Sequence, residues 1–581
     1  MNDSQPKELR LKRGSNILGY IRQFSATEKG IFGIFVIIAL VSALIMAEQV
    51  NDYFSKEVPA YGGTLREGVV GLPRNINPVL AVTDNDRDIS TLVYSGLMKY
   101  SDGKIVHDLA KSYSISNDGL TYNFKLKTGV KFQDGTALTA EDIAFTIQKI
   151  QDPAIKSPRR ADWADITVNI ISPSEIQFVL KRPYSPFLTN TTVGVIPKHI
   201  WGSVNDEQFI FSQYNIEPVG SGLYKVSSIS RDGGGIPTQY KLVTWGGYYG
   251  KEPFISTIVF NFFSTETELL TALDQGSVDS AVSISPDAAK QLSADKAQSY
   301  KILSTPLPRV FGVFFNQNQA PVLADKVVRQ ALKMSVDRQA LVDKILSGYG
   351  QPIDGPAPFL LSTSTKNITP VASTTVAQTL LEKNGWKKGA DGVYSFTKKG
   401  AKAPSLVLAF DIYTIDSPDL KEAAELVKNM WTEMGARVTV KIYESSDFYQ
   451  NIIRTRKYDA LLFGEVIGKD RDLYAFWHSS QLKSPGLNVA MYANSKTDKL
   501  LEDMRTTSDE RVRETKYEQF NNIIKADIPA IFLYVPDFIY AVPKSVNNIQ
   551  LGTISTPSDR WNGVASWYEK TERVWNILIK N

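Results

Sequence analysis

His107, His199 and His478 are the chain's three imidazoles, and they fall in separate segments without the spacing of a metal site. No phosphate-binding glycine loop, H-E-x-x-H, G-x-S-x-G or dinucleotide fingerprint occurs. Gly220-Ser-Gly222 comes nearest to a glycine loop, but no third glycine or downstream acid completes it. Asp470 and Asp472 are a carboxylate pair of the kind that does general acid–base work, yet at i and i+2 on a loop they read equally as a turn or as solvated charge. The absence of cysteine excludes disulfides, thiolate metal sites, a cysteine nucleophile and a lipid-modified cysteine anchor. These residues point away from catalysis, and neither a cofactor nor a metal is expected.

Charge narrows the partners further. The net charge of +4 is the difference between 65 basic and 61 acidic side chains, and no basic stripe interleaved with aromatics stands out. Nucleic acid is therefore not an expected ligand. With 43% hydrophobic and 22% charged residues over 581 positions, the chain has the composition of a folded protein of two or three domains.

Membrane contact is expected near the N-terminus. From Ile31 to Ala47 the one polar side chain is Ser42, and these 17 residues span about 26 Å as a helix, slightly short of a ~30 Å hydrocarbon core. Lys7, Arg10, Lys12, Arg13, Arg22 and Lys29 precede the segment, and Glu48, Asp52 and Glu57 follow it. This bias puts the N-terminus in the cytoplasm and the rest outside. The alternative is a signal peptide cut near Ala47. The long basic region and the lack of a small-x-small pair before Ala47 favour an uncleaved anchor. Residues 1–29 then form a cytoplasmic stretch, 30–47 the anchor and 48–61 a short polar stalk.

Beyond the stalk, strand and helix periods alternate as in a mixed α/β protein. Leu406–Phe410, a helix over about 420–434 and Arg437–Ile442 form a strand–helix–strand unit with Gly435 as its C-cap, and must make a parallel pair. Val438, Val440 and Ile442 are its expected inward side chains. Thr139 with Asp142 caps a helix burying Ile143, Ile147 and Ile150, and Asp337 starts another with Leu341, Val342 and Ile345. Loops at Arg231–Pro237 and Gly350–Pro358 are boundaries or surface insertions.

The densest pattern runs from Asp118 to Asp142: an Asp-Gly turn, a strand through Tyr122, Phe124 and Leu126, two further turns and a capped helix. This stretch resembles the bacterial extracellular solute-binding proteins of the oligopeptide, dipeptide and nickel type, which deliver ligands to ATP-driven importers. Similar segments follow in family order: Gly62-Gly63-Thr64-Leu65, Asn77-Pro78, Asp108-Leu109-Ala110, Pro218–Tyr224, Tyr248–Pro253, Gly276–Asp279, Arg329–Leu332 with Asp337-Arg338, and Gly385-Trp386. The resemblance extends over the whole chain from Gly62 onward.

The resemblance implies a two-lobed periplasmic-binding-protein-like α/β fold of class II with an extra subdomain. Lobe I would comprise 60–98, 216–307 and 537–581, the inserted subdomain 99–215 and lobe II 308–536, with crossovers near 305–309 and 534–538. It also implies capture of an oligopeptide or similar small solute by lobe closure, with no covalent change to the ligand. An ABC permease and its ATPase would be the partners of a monomeric receptor at the outer membrane face. The alternative is a tethered sensor or scaffold using the same fold, which the absence of neighbouring permease genes would favour. The segment from Gly464 to His478 corresponds to the family's ligand-contacting stretch. Peptide-binding members place an aspartate on the ligand's ammonium where this chain has Gly468, so Asp470 or Glu465 is the expected substitute. Trp245, Phe311 and Trp477 read as cleft walls or core aromatics. Arg309 and Tyr534 fall at the two crossovers.

Overall fold

The computed structural model describes residues 24–578 apart from 102, 361–371, 399, 402–404 and 508. It divides into a large unit, Tyr61–Glu569, and a smaller unit in which the segment up to Ala60 is joined by that from Lys570 onward. The basic residues ahead of Lys29, on which the expected orientation rests, lie outside the described residues.

In the smaller unit the apolar segment is the middle of a longer helix, Ala26–Phe54, opened by a capping box between Ser25 and Glu28. None of its residues is buried, and it is long and apolar enough to cross a membrane. The stretch expected as a polar stalk is instead the last turns of this helix and a strand, Ser55–Ala60, paired antiparallel with Lys570–Trp575. Glu48, Gln49 and Asn51 end the apolar run, but no Pro or Gly intervenes to end the helix. Lys570–Trp575 thus pairs within the smaller unit, whereas the expected lobe I included it.

In the large unit, local rules act as written. Asp118 Oδ1 accepts from the Leu120 amide, Gly119 takes a φ of 70°, and Thr121–Leu126 follows as a strand with Tyr122, Phe124 and Leu126 buried. Thr139 and Asp142 form the capping box of helix Ala140–Gln151, which buries Ile143, Ile147 and Ile150. Strand Ala409–Ile415 and strand Arg437–Tyr443 are parallel, joined by helix Pro418–Met434, which Gly435 closes at a φ of 113°. Leu406–Val407 is a separate short strand, and Ile442, expected inward, is exposed because Arg437–Tyr443 is the edge of its sheet.

A twelve-stranded mixed sheet runs through this unit. Its seam is the 14-residue strand Ala530–Pro543. The first part pairs with Arg309–Phe315, which continues into Ala460–Val466, Ala409–Ile415 and Arg437–Tyr443. The second part pairs with Tyr300–Pro306 and leads through Ser280–Val282 to Thr64–Val70 and Thr257–Phe263. Two lobes result, one on each side. At the crossovers the Leu307 amide donates to the Pro536 carbonyl at 2.9 Å and the Ile467 amide to the Pro308 carbonyl at 2.8 Å. Pro308 and Pro536 supply no amide donors there, and the short strand Gly350–Pro352 pairs alongside at Tyr534–Pro536.

One contiguous core holds Leu65, Leu92, Phe260 and Tyr540 together with Phe124, Ile147 and Phe178. A smaller one around Leu269, Val278 and Ile539 lies on the same side, and the other lobe has one around Leu332, Trp431 and Leu462 and one around Phe314, Trp477 and Phe520. Arg560, fully buried, ties the segment Pro557–Ser566 to the sheet, reaching Glu67 at 3.0 Å and Asp88 at 2.7 Å, while Tyr540 Oη donates to Glu67 at 2.8 Å.

Candidate functional site

A cavity of about 500 Å³ lies between the two lobes. Helix Asp84–Val93 turns Arg87, Ser90 and Thr91, with Tyr94 just beyond, toward it, because these positions recur at helical spacing. Ile89, Leu92 and Val93 on the other faces are in the core. Other walls come from Pro158, Arg159 and Asp162, from Thr189–Gly194, from the segment Pro557–Ser566 and its approach, and from Val466–Asp470 of the facing lobe. Glycines bring these segments close. A Cβ on Gly96 would lie 2.7 Å from the Thr192 carbonyl, and one on Gly222 would lie 2.5 Å from that of Leu92. Gly220-Ser-Gly222 is thus a packing device against the end of a helix, not an anion loop.

The lining is charged in both senses. Arg87 is 3.1 Å from Asp84, Lys99 is 3.6 Å from Asp108, and Lys469 pairs with Asp559. Among the described residues Arg159 has no ion-pair partner; burial pulls its guanidinium pKa down, opposed by Asp162 nearby. Asp470 accepts from Tyr184 Oη at 3.3 Å, and its pKa is raised by burial first and by Asp472 second. The pKa of Asp162 is likewise raised by burial, with Arg159 opposing. Tyr94 Oη and Trp561 Nε1 are buried in this wall without acceptors among the described residues. Among the described residues the cavity thus offers a cation outside any ion pair, desolvated carboxylates and unmatched donors, which suits a ligand carrying both an ammonium and a carboxylate.

The lobes touch beside this cavity. Lys469 crosses to Asp559 and stands 4.6 Å from the centre of the Tyr100 ring. Tyr184 crosses to Asp470, the Ser185 amide donates to the Arg505 carbonyl at 2.8 Å, and Arg513 reaches the Ser185 hydroxyl.

Residues 104–484 match the model of the bacterial extracellular solute-binding proteins, family 5, middle part. The chain belongs to this family. The receptor is 28% identical over 500 residues to the oligopeptide-binding protein AppA of Bacillus subtilis, covering 84% of this chain and 89% of that one. Its fold is similar to AppA solved with a nonapeptide (TM-score 0.64, 26% identity, 88% and 99% of the two chains). It is similar also to NikZ of Campylobacter jejuni solved with Ni(L-His) (TM-score 0.67, 26% identity, 87% and 99%). Capture of a solute outside the cytoplasm, as a component of a solute importer, is the activity of this family, which consists of binding proteins and not of enzymes.

Of the side chains expected to hold ligand, only Asp470 lines the receptor's cavity, next to Gly468. Trp477 is fully buried in the facing lobe among Phe314, Phe520 and Phe532. Glu465 is 3% exposed beside it, neither carboxyl oxygen is hydrogen-bonded among the described residues, and burial pushes its pKa up to about 8. Tyr534 is buried and stacked on half-buried Phe311 at 5.2 Å. Arg309 is half-buried at the crossover with its Nε unpartnered. Trp245 supports the cavity from behind, its Nε1 donating to the Gly222 carbonyl at 2.8 Å. Alternation on a strand tells that Glu465 and Phe311 point to some face, not which face holds the cleft. Sequence reasoning passed over Tyr94, Arg159 and Trp561. The one signal for Arg159 is the charge cluster Arg159-Arg160-Ala161-Asp162 after Pro158, which has no apolar period to make it a solvated helix face.

Proposed function

We propose that this receptor is held at the outer face of the membrane by helix Ala26–Phe54 and closes its lobes over a small zwitterionic solute, above all a short peptide. It then hands the solute unchanged to an ABC permease and its ATPase. The observation that carries the ligand class is Arg159, in no ion pair among the described residues, lining the same cavity as the desolvated carboxylates of Asp470 and Asp162. An ammonium satisfies the acids and a carboxylate satisfies the arginine. Tyr94 and Trp561 supply donors for peptide carbonyls. A cavity of about 500 Å³ falls in the lower half of the ~300–1,000 Å³ range of small-ligand sites, which favours a short peptide over a nonapeptide.

The receptor works as a monomer, with lobe I over 60–98, 216–307 and about 537–569, the inserted part over 99–215 and lobe II over 308–536. The separate cores on either side of the strand Ala530–Pro543 support the two-lobe division, and the core that Phe124 and Phe178 share with Leu65 and Tyr540 supports reading the inserted part as an extension of lobe I. Native mass spectrometry of the full chain in detergent, followed by calorimetry with di- to pentapeptides, tests the reading. Binding strongest for two to four residues, and lost when both termini are blocked, is the expected result. Equal binding of blocked and free peptides would refute it.

A further inference from the structure

The end of the membrane helix is joined to a second segment that the transport reading does not use. Strand Ser55–Ala60 pairs with Lys570–Trp575 in the register Ser55↔Trp575 to Ala60↔Lys570, so Trp575 arrives beside the helix end. Its Nε1 donates to Asn51 Oδ1 at 2.9 Å, and its ring stacks on Phe54 at 6.2 Å with 24° between planes. Arg573 pairs with Asp52 and lies 3.9 Å from Glu57. Around this junction Tyr53 is 79% and Ile577 88% exposed, and Phe54 and Trp575 are about half exposed.

Four large side chains left open where the helix end meets the ribbon are costly in water, and a two-stranded sheet alone is marginally stable. Their place along the chain indicates what covers them. Phe54 follows Ala47, the end of the apolar run, by seven residues, about 10 Å of helix, which is headgroup depth for a span ending at Ala47. Tyr and Trp, with an apolar body and a polar tip, are enriched at that level. At the opposite end of the helix Phe24 packs edge-on against Phe32 at 5.9 Å, a second aromatic contact where the other interface falls.

We propose that Tyr53, Phe54, Trp575 and Ile577 form an interfacial girdle seated in the headgroup and upper acyl layer. The strand Lys570–Trp575 is then a second membrane contact, clamped to the anchor by Arg573–Asp52 and Trp575–Asn51. The proposal rests on the anchor reading of Ala26–Phe54 and adds that a segment remote in sequence shares the membrane surface with it.

A chain without cysteine allows single nitroxide labels at Leu40→Cys, Glu572→Cys and Ile577→Cys in the full-length protein, reconstituted in vesicles of phosphatidylcholine and phosphatidylglycerol. Accessibility to oxygen, which concentrates in lipid, is compared with accessibility to a water-soluble nickel chelate. The expected result is oxygen dominance at 40 and 577 and chelate dominance at 572. A label at 577 as open to the chelate as that at 572, with 40 still lipid-buried, overturns the girdle and leaves the anchor standing. Chelate dominance at 40 as well overturns both. In the I577C background, Trp575→Ala is expected to shift the 577 label toward the chelate; no shift argues against the clamp.

Discussion

Glu465 shows how one side chain's surroundings set a pH dependence. Its folded pKa of about 8 lies above the ordinary 4.5, with burial as the main cause and the Trp477 indole opposing. Between those values the native state keeps a proton that the unfolded chain has released, so the stability this group contributes is full below about pH 4.5 and is lost as pH rises through 8. Wild type is expected to lose roughly 3–5 kcal/mol over that window from this group. Glu465→Gln keeps the shape without the charge and should flatten the loss, read as melting temperature against pH. If wild type and variant fall in parallel, the acid is already ionised. In the cavity the expectation differs. Asp470→Asn should weaken peptides with a free N-terminus about 10- to 100-fold while leaving N-acetylated ones unaffected. Arg159→Met should do the same for free against amidated C-termini, and calorimetry with the four peptide forms separates the two roles.

At the scale of elements, the segment Pro557–Ser566 forms one cavity wall, and Arg560 holds it in place. Arg560→Ala leaves Glu67 and Asp88 buried without their cation, which costs about 3–5 kcal/mol, and also frees a wall that carries Asp559 and Trp561. A lowered melting temperature together with weakened ligand binding is expected; a normal melting curve would mean the wall is held by packing alone. The same segment marks the limit of what sequence shows. The capping box at Thr139, the Gly435 stop and the parallel pair flanking Pro418–Met434 follow from patterns local in the chain, and such patterns are legible. The Arg560–Glu67 contact spans 493 residues and Asp52–Arg573 spans 521, and no periodicity encodes a partner at that distance. The cavity suffers most from this, since its lining comes from many short segments converging on glycines such as Gly96 and Gly222. Of the side chains singled out by strand and crossover patterns, Glu465, Trp477 and Tyr534 are buried and Phe311 is half-buried against a core, because alternation fixes a face and not what lies opposite.

For the molecule as a whole, capture depends on how long the lobes stay together. They are linked by Lys469–Asp559, Tyr184–Asp470 and the Ser185–Arg505 backbone bond, beside crossovers at Leu307-Pro308 and Val535-Pro536. Asp559 also accepts from the Ser555 and Thr556 amides, so it is fixed before Lys469 arrives and the side chain that moves with closure is the lysine. A partly buried pair of this kind contributes about 1–2 kcal/mol to the closed state. Lys469→Ala should therefore speed ligand release by roughly 5- to 30-fold with little change in association rate. Because the effect acts through the closed population, it should be similar for peptides of any net charge. Stopped-flow release of acidic, neutral and basic peptides distinguishes the roles: a loss confined to acidic peptides would make Lys469 a ligand contact, and a uniform loss makes it the latch between lobes.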